Sequence, residues 1–381
     1  MGDVLVAPMG GDATTVQGGI DVAEPGDTVK LTNGTYTENI DINKELTLTS
    51  VTGTAGDVTI TSSTEGATIN VNDDGAASAI VIQDITIKYT HDAASVRGCI
   101  KTQTAATEKF TVQRCIFEST AYGIYKPGAG TVVDRCKMTG TDADSDNVGI
   151  WATETITITA CLFIDFYQYS LRLESVSGDA SVAKNCTAIT TDGSDTNATC
   201  YYLFSNGSSN GGPSLFNCIA YNGTGGDMGY GLRIDNHSDE CIIKNCLVYD
   251  EDGTGAGTMQ TKEIYRQNSS TTANNYVTNH VSGDTNGDAT VVTPVFDDFD
   301  NADYHPNSDG SAHENGLASG AASYDLDGTA FDGSSPPIGC YAPASPASGW
   351  SAGTHCGPVA AGGIASVDGV AVNSISKIIG V

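Results

Sequence analysis

The chain has 381 residues and carries 46 Asp and Glu against 17 Lys and Arg, a formal charge of −29. So few cations cannot neutralise a phosphate backbone, which excludes duplex or RNA binding, and 45 glycines with only 17% charged residues exclude a coiled coil or helical bundle. β-Branched residues are spread along the whole chain, unlike a disordered sequence, and no apolar run is long enough to cross a membrane as a helix.

The opening stretch to Met9 has no basic segment followed by an apolar core. The expectation is either a leader already removed or an exit route that needs none. Val16, Ile20 and Ala23 fall at i, i+4 and i+7 behind Thr14 and Thr15, predicting a short helix capped by threonine. Pro25-Gly26-Asp27-Thr28 then leads into a strand at 29–31, and Gly34-Thr35-Tyr36 reads as a turn. Residues 1–28 are assigned to an N-terminal arm and capping helix.

Six cysteines recur at one position of a repeat: Cys115, Cys136, Cys161, Cys186, Cys218 and Cys246, at intervals of 21, 25, 25, 32 and 28 residues. Ile85 holds the same place upstream. None of the eleven cysteines forms a C-x-x-C pair, so the row reads as small buried apolar side chains rather than a zinc or disulfide framework. Cys340 and Cys356 lie outside it and are the remaining disulfide candidates. A second motif precedes each cysteine by 11 to 15 residues, built on Ile100, Ile124, Ile150, Leu171, Leu203 and Leu232, with Ile264 following the last. Two short alternating strands per repeat, separated by Gly, Asn, Asp and Ser turns, cannot bury an apolar face alone. Stacked in parallel about 4.8 Å apart they can, which gives a parallel β-helix over 29–342. The long, variable intervals suit its right-handed form.

The residue after each inward aliphatic faces outward by period-two alternation. Those positions hold Lys101, Tyr125, Trp151, Arg172, Phe204, Arg233 and Tyr265. Three readings of this stripe stand open. It is a glycan groove, with aromatic faces for sugar rings and arginines for carboxylates or sulfates; a subunit interface; or a ladder that only stabilises its sheet. Glu174 and Asp235 lie two residues beyond the arginines on the same side and are candidates for acid or base work. No catalytic set assembles, and the six histidines follow no metalloprotease or triad order. Asp284-Thr285-Asn286-Gly287-Asp288 begins like a calcium loop, yet Ala289 and Val295 replace the Gly and Glu such a loop needs. No metal site and no cofactor are expected, Ca2+ at this turn being the lesser option.

Residues 343–363 form a Pro/Gly/Ser linker. Beyond it, 364–381 duplicate one pattern: Ile364, Val367 and Val370 recur eleven residues later as Ile375, Ile378 and Val381. A segment this short and apolar cannot fold alone, so it is expected to dock on its own helix, a sister chain or another protein.

Gln17-Gly18-Gly19-Ile20, the 25–31 segment and Asn33-Gly34-Thr35-Tyr36 resemble the opening of pectin-lyase-like right-handed β-helix proteins. Asp303-Tyr304, Tyr324-Asp325-Leu326-Asp327-Gly328 and Pro337-Ile338-Gly339-Cys340-Tyr341 are similar to the closing motif of many members. The resemblance spans roughly residues 14–342. It implies the fold, whereas lyases, hydrolases, adhesins and structural proteins all share that fold. The duplicated tail resembles short Ile-x-x-Val-x-Gly-Val repeats of bacteriophage virion proteins.

The combined expectation is an all-β, right-handed parallel β-helix with a capping helix and a C-terminal docking tail. Its function would be that of a structural or adhesive virion protein, a capsid decoration, fibre or tailspike-like component assembled in the host cytoplasm. It would be homo-oligomeric, a trimer favoured, meeting virion proteins or sister subunits through the tail and cell-surface polysaccharide through the stripe, without nucleic acid or membrane insertion. The alternative is a polysaccharide lyase or glycoside hydrolase, with a secreted location.

Overall fold

The computed structural model describes residues 2–343 except 63, 73–78, 92–97, 103–107, 142–146, 176–180, 192–197, 206–211, 223–227, 237–240, 251–263, 267–270, 274–275, 278–288, 291–294, 299–301, 314 and 332–333, and beyond 343 only 366–367 and 370–371. At 175, 222, 228–229, 236 and 250, in the short strands from 264 to 290, and beyond 365, the description covers the backbone alone. Within these residues each turn of the chain lays down three strands, one in each of three parallel sheets. Phe110–Gln113 lies in sheet I, Ile116–Ser119 in sheet II and Tyr122–Tyr125 in sheet III, before Thr131–Asp134 returns to sheet I. Among the described residues sheets I and II hold eleven strands and sheet III nine. The chain is a right-handed parallel β-helix with almost no helix.

Three strands per turn correct the two expected from the sequence. The cysteine motif, read as one strand, is two strands folded at a corner between sheets I and II. The residue before each cysteine position makes that corner in the left-handed region: φ is 56° at Asp84, 52° at Arg114, 49° at Arg135, Ala160 and Asn185, 54° at Asn217 and 52° at Asn245. For arginine and alanine this conformation costs roughly 1–2 kcal/mol, whereas asparagine visits it more readily. Ladder bonds on the neighbouring turn hold the corner in place: Arg114 N donates to Asp134 O at 3.0 Å and Arg135 N to Thr159 O at 2.9 Å.

The interior is a set of stacked rows. Ile82, Val112, Val133, Ile158, Ala183, Leu215 and Ile243 pair in register along sheet I and are all buried. Each fully buried Val, Leu or Ile adds roughly 1.5–3 kcal/mol over exposure, so the stack itself supplies the driving force. The six motif cysteines form a parallel row of buried thiols outside any disulfide. Each has a carbonyl two residues back to accept its weak S–H donor, as with Cys136 to Asp134 O at 3.4 Å and Cys161 to Thr159 O at 3.2 Å. Burial pushes Cys115, Cys161 and Cys218 well above the usual thiol range, and it pushes Cys99 and Cys200 up to about 12. Cys340 is likewise a free, buried thiol, while Cys356 lies outside the described residues.

At the N-terminal end the helix α1 (Val16–Val22) buries Val16 and Ile20 in the same core cluster as Val4, Val6, Val29 and Leu31. Thr15 caps it, accepting from Gly18 N at 3.0 Å, and the Glu38 carboxylate accepts from Val16 N at 2.7 Å and Gln17 N at 3.1 Å. The first strand lies ahead of α1 rather than after it. Asp3–Val6 pairs parallel with Asp27–Leu31, so the expected arm is part of sheet I.

A second apolar cluster forms on the outside of the coil. Leu162, Ile164, Ile189, Ile219, Tyr221 and Leu247 on sheet II pack with Val295, Phe296, Tyr304, Ala312, Ile338 and Cys340. The C-terminal segment thus straps the outer face of sheet II. The corner asparagines hold it there. Asn185 donates to Pro337 O at 3.0 Å and accepts from Ala322 N at 2.9 Å. Asn217 accepts from Leu317 N at 2.6 Å and donates to Leu317 O at 3.1 Å, and Asn245 donates to Asn315 O at 2.8 Å.

Contacts divide the chain into a unit Met1–Ala342 and a unit Pro343–Val381. In the second unit Ser366–Val367 and Val370–Ala371 pair antiparallel, with Val367 opposite Val370. Ile364, Ile375, Ile378 and Val381 lie outside the described residues, as does the turn at Asp284–Asp288. Among the described residues no helix is long and apolar enough to cross a membrane.

Candidate functional site

Sheet III brings the outward stripe together. Its strands Gly98–Thr102, Tyr122–Tyr125, Val148–Ala152, Tyr169–Ser175, Ala198–Ser205, Met228–Asn236 and Ile264–Arg266 stack in that order. Their register places Lys101, Tyr125, Trp151, Arg172, Tyr202, Arg233 and Tyr265 in one continuous row. The sequence reading put Phe204 where Tyr202 stands. Tyr201, not Leu203, is the partner of Leu171, so Phe204 moves into a second row, Glu174–Phe204–Asp235. Both Tyr201 and Leu203 are buried, and alternation fixes the face of a strand without fixing its register to within two residues. Tyr265 is in register; its side chain lies outside the described part.

Cations and rings alternate along the row. The Arg172 guanidinium carbon sits 4.0 Å from the Trp151 ring centre and 5.5 Å from those of Tyr169 and Tyr202. Arg233 sits 5.5 Å from the ring centres of Tyr202 and Tyr230. Lys126 Nζ lies 5.4 Å from the Tyr125 ring and 5.1 Å from the Trp151 ring. Tyr125 meets Trp151 edge-on at 5.3 Å, Tyr169 meets Tyr202 at 5.0 Å, and Tyr202 and Phe204 are nearly parallel at 6.5 Å. Such contacts contribute roughly 0.5–2 kcal/mol each, more where water is excluded. Tyr122, Tyr125 and Val148 pack with Trp151 and Tyr169 as an apolar cluster of their own.

Both arginines are paired within their own strand. Arg172 donates to Glu174 through Nε at 2.6 Å and also through Nη2. Arg233 donates to Asp235 Oδ2 through Nε at 3.0 Å and Nη2 at 2.7 Å. Burial works against the charge on Arg233, and the bond to Asp235 outweighs it, so the guanidinium is held above its ordinary range. Burial, then the nearby Asp235 charge, pushes the Tyr202 phenol up, so it stays a neutral O–H group. Two polar atoms of the face have no partner among the described residues, the donor Trp151 Nε1 and the acceptor Asp235 Oδ1.

The expected acid–base candidates, Glu174 and Asp235, are therefore each bonded to the arginine two residues before them. Sequence reasoning missed Tyr169, Tyr202 and Lys126 as members of the face. Tyr202 needed the register, and Lys126 sits just past its strand in the left-handed region at φ 48°. Elsewhere His305 Nδ1 lies 2.6 Å from Asp303 Oδ1, with Asp327 at 3.6 Å from its other nitrogen. Among the described residues no group of three or more His, Cys, Asp or Glu is placed to hold a metal ion.

Three parallel sheets in a right-handed coil make this chain a right-handed parallel β-helix. No family model matches the sequence, and no curated protein matches it. Among solved structures it is similar to a carrot pectin methylesterase, at 14% identity over 77% of this chain and 88% of that one, with a TM-score of 0.41. It is similar to a pectin methylesterase from Yersinia enterocolitica, at 12% identity over 72% and 93% with a TM-score of 0.41. An alginate lyase from Paenibacillus follows, at 12% identity over 71% and 97% with a TM-score of 0.37. Likeness at this level concerns the fold alone.

Proposed function

We propose that the protein is a structural or adhesive component of a bacteriophage particle, and that sheet III is the face it presents to surface glycans. The observation that carries the glycan part is the unbroken aromatic–cation row from Tyr125 to Arg233. Rings held at strand spacing offer repeated apolar platforms to a repeating polymer, which suits a rigid solenoid. The duplicated tail supports the particle part, as the element that docks on virion proteins or on sister subunits in a homo-oligomer.

A polysaccharide lyase or hydrolase is the second reading, because Glu174 and Asp235 share the face. Both carboxylates are bonded to arginines, which favours holding over cleaving. A glycan array run beside a reducing-end release assay tests the two. Retention without product, lost in Trp151→Ala and Tyr202→Ala, supports adhesion, whereas product release supports the enzyme. Deleting 364–381 should abolish particle association or oligomerisation; retention of both removes the tail from the account.

A further inference from the structure

We infer that the open edge of the strand Gly34–Thr37 receives one extended segment, the C-terminal tail of a second copy of this chain; this rests on the tail-docking reading above. At the N-terminal end of the coil the three sheets end in Asp3–Val6, Gly34–Thr37 and Ile40–Ile42. Two of these edges are sealed. In sheet I, Leu5 N donates to Asp12 Oδ2 at 2.8 Å, Leu5 O accepts from Asp12 N at 2.8 Å, and Ala7 N donates to Ala13 O at 3.0 Å. In sheet III the Gln17 side chain closes the edge: Asp41 N donates to Gln17 Oε1 at 2.8 Å, and Gln17 Nε2 donates to Asp41 O at 3.4 Å. The edge of sheet II has no such cover among the described residues. Glu38 N donates to Thr61 O on the neighbouring strand at 3.0 Å, so by ladder alternation the N–H and C=O groups of Thr35 and Thr37 turn the other way. Both residues are exposed. Such an edge is a template for an added strand.

The opening suits a strand and not another coil. With two of three edges sealed, a second coil cannot continue this one end to end. Beside the open edge lies a cleft of about 530 Å3, lined by Pro8, Thr14, Thr15 and the residues from Gly34 to Glu38. Its one carboxylate, Glu38, already accepts from Val16 N and Gln17 N, which leaves a site for an uncharged segment. The tail has that chemistry. The side chains of 364–381 include one Asp and one Lys in a chain of charge −29, so the tail escapes most of the repulsion between acidic copies. Ser366–Val367 and Val370–Ala371 are already extended, and a lone two-stranded hairpin is marginal in water until a further strand joins it. The linker gives the reach. Cys340 N is bonded to Thr187 Oγ1, six strand steps along sheet II from Gly34–Thr37, or about 29 Å. Residues 343–363 span up to roughly 70 Å when extended, which leaves length to cross to a copy lying alongside.

The test is analytical ultracentrifugation of the full chain and of full-length variants over a concentration series. Wild type should self-associate. Thr37→Pro removes an outward N–H, a change an edge strand tolerates; it should weaken association at least about tenfold with an unchanged circular dichroism spectrum. Thr37→Val keeps the N–H and should associate as wild type. Val370→Asp places a charge in the tail and should weaken association as Thr37→Pro does. Mixed one to one, Thr37→Pro and Val370→Asp should regain a pair, the first giving its tail and the second its edge. Hydrogen exchange on wild type needs no variant: the Thr35 and Thr37 amides should be protected in the associated form and exchange freely on dilution. A monomeric wild type overturns the inference, with the edge empty if those amides exchange freely and filled by the chain's own tail if they are protected. Association lost in Val370→Asp but kept in Thr37→Pro also overturns it, and leaves the tail reading standing. Association unchanged in both variants overturns the inference and the tail reading together.

Discussion

Asn217 is the residue on which the strap over sheet II can be tested most sharply. Its backbone is in the left-handed region at φ 54°, and its side chain makes two bonds to Leu317, at 2.6 and 3.1 Å. Asn217→Gly keeps the backbone conformation accessible and removes only the two bonds, each contributing about 1 kcal/mol net. Asn217→Ala removes the same bonds and adds about 1 kcal/mol of left-handed strain. The strap should therefore open more easily by about 2 kcal/mol in the glycine variant and about 3 kcal/mol in the alanine variant, or roughly 30-fold and 150-fold. Amide hydrogen exchange reads this at bonds internal to the strap, Ile338 N to Ala312 O and Leu326 N to Cys340 O, both 2.8 Å. Neither is touched by the substitution. Unchanged exchange at both amides would refute the strap as a held element. Equal acceleration in the two variants would refute the strain argument.

Three further outcomes follow from the packing. Gly149→Ala should lower the melting temperature or abolish soluble expression, because a Cβ there would sit 2.3 Å from Ser170 O and 2.8 Å from the Phe163 ring; a melting curve matching wild type would contradict the close approach. The ten described cysteines should ignore a thiol reagent in the native protein and react in denaturant, since all are buried; prompt native reaction of the Cys115–Cys246 row would contradict a dry interior. The bond to His305 holds the Asp303 carboxyl below its ordinary 3.8. Its stabilisation is thus present above that pH and is lost as pH falls through the lower native value. Asp303→Asn should melt below wild type at neutral pH and converge with it in acid, and a constant gap down to about pH 2 would contradict the pairing.

The sequence pattern carried the coil and its interior, because identical positions in every turn meet their own kind. Cys115, Cys136 and their successors share one motif position and do stack. The corner was hidden because nothing in Arg114, Arg135 or Ala160 advertises a left-handed backbone; only Asn185, Asn217 and Asn245 carry a residue that favours it. The strap was hidden for a related reason. Leu162, Ile189, Ile219 and Leu247 stand at outward positions, and an outward apolar residue reads as noise until the segment that covers it is in place. For the site, composition and alternation identified the face, whereas the exchange of Phe204 for Tyr202 and the pairing of Arg172 and Arg233 depended on register and rotamer.

The most direct test of the glycan-contact account uses the chain's two tryptophans, Trp151 and Trp350. In a Trp350→Phe background all indole emission comes from Trp151, within the row. Titrating the saccharide retained on the array should shift or quench that emission saturably. Tight binding with no change at Trp151 would place the glycan elsewhere on the molecule and contradict the account.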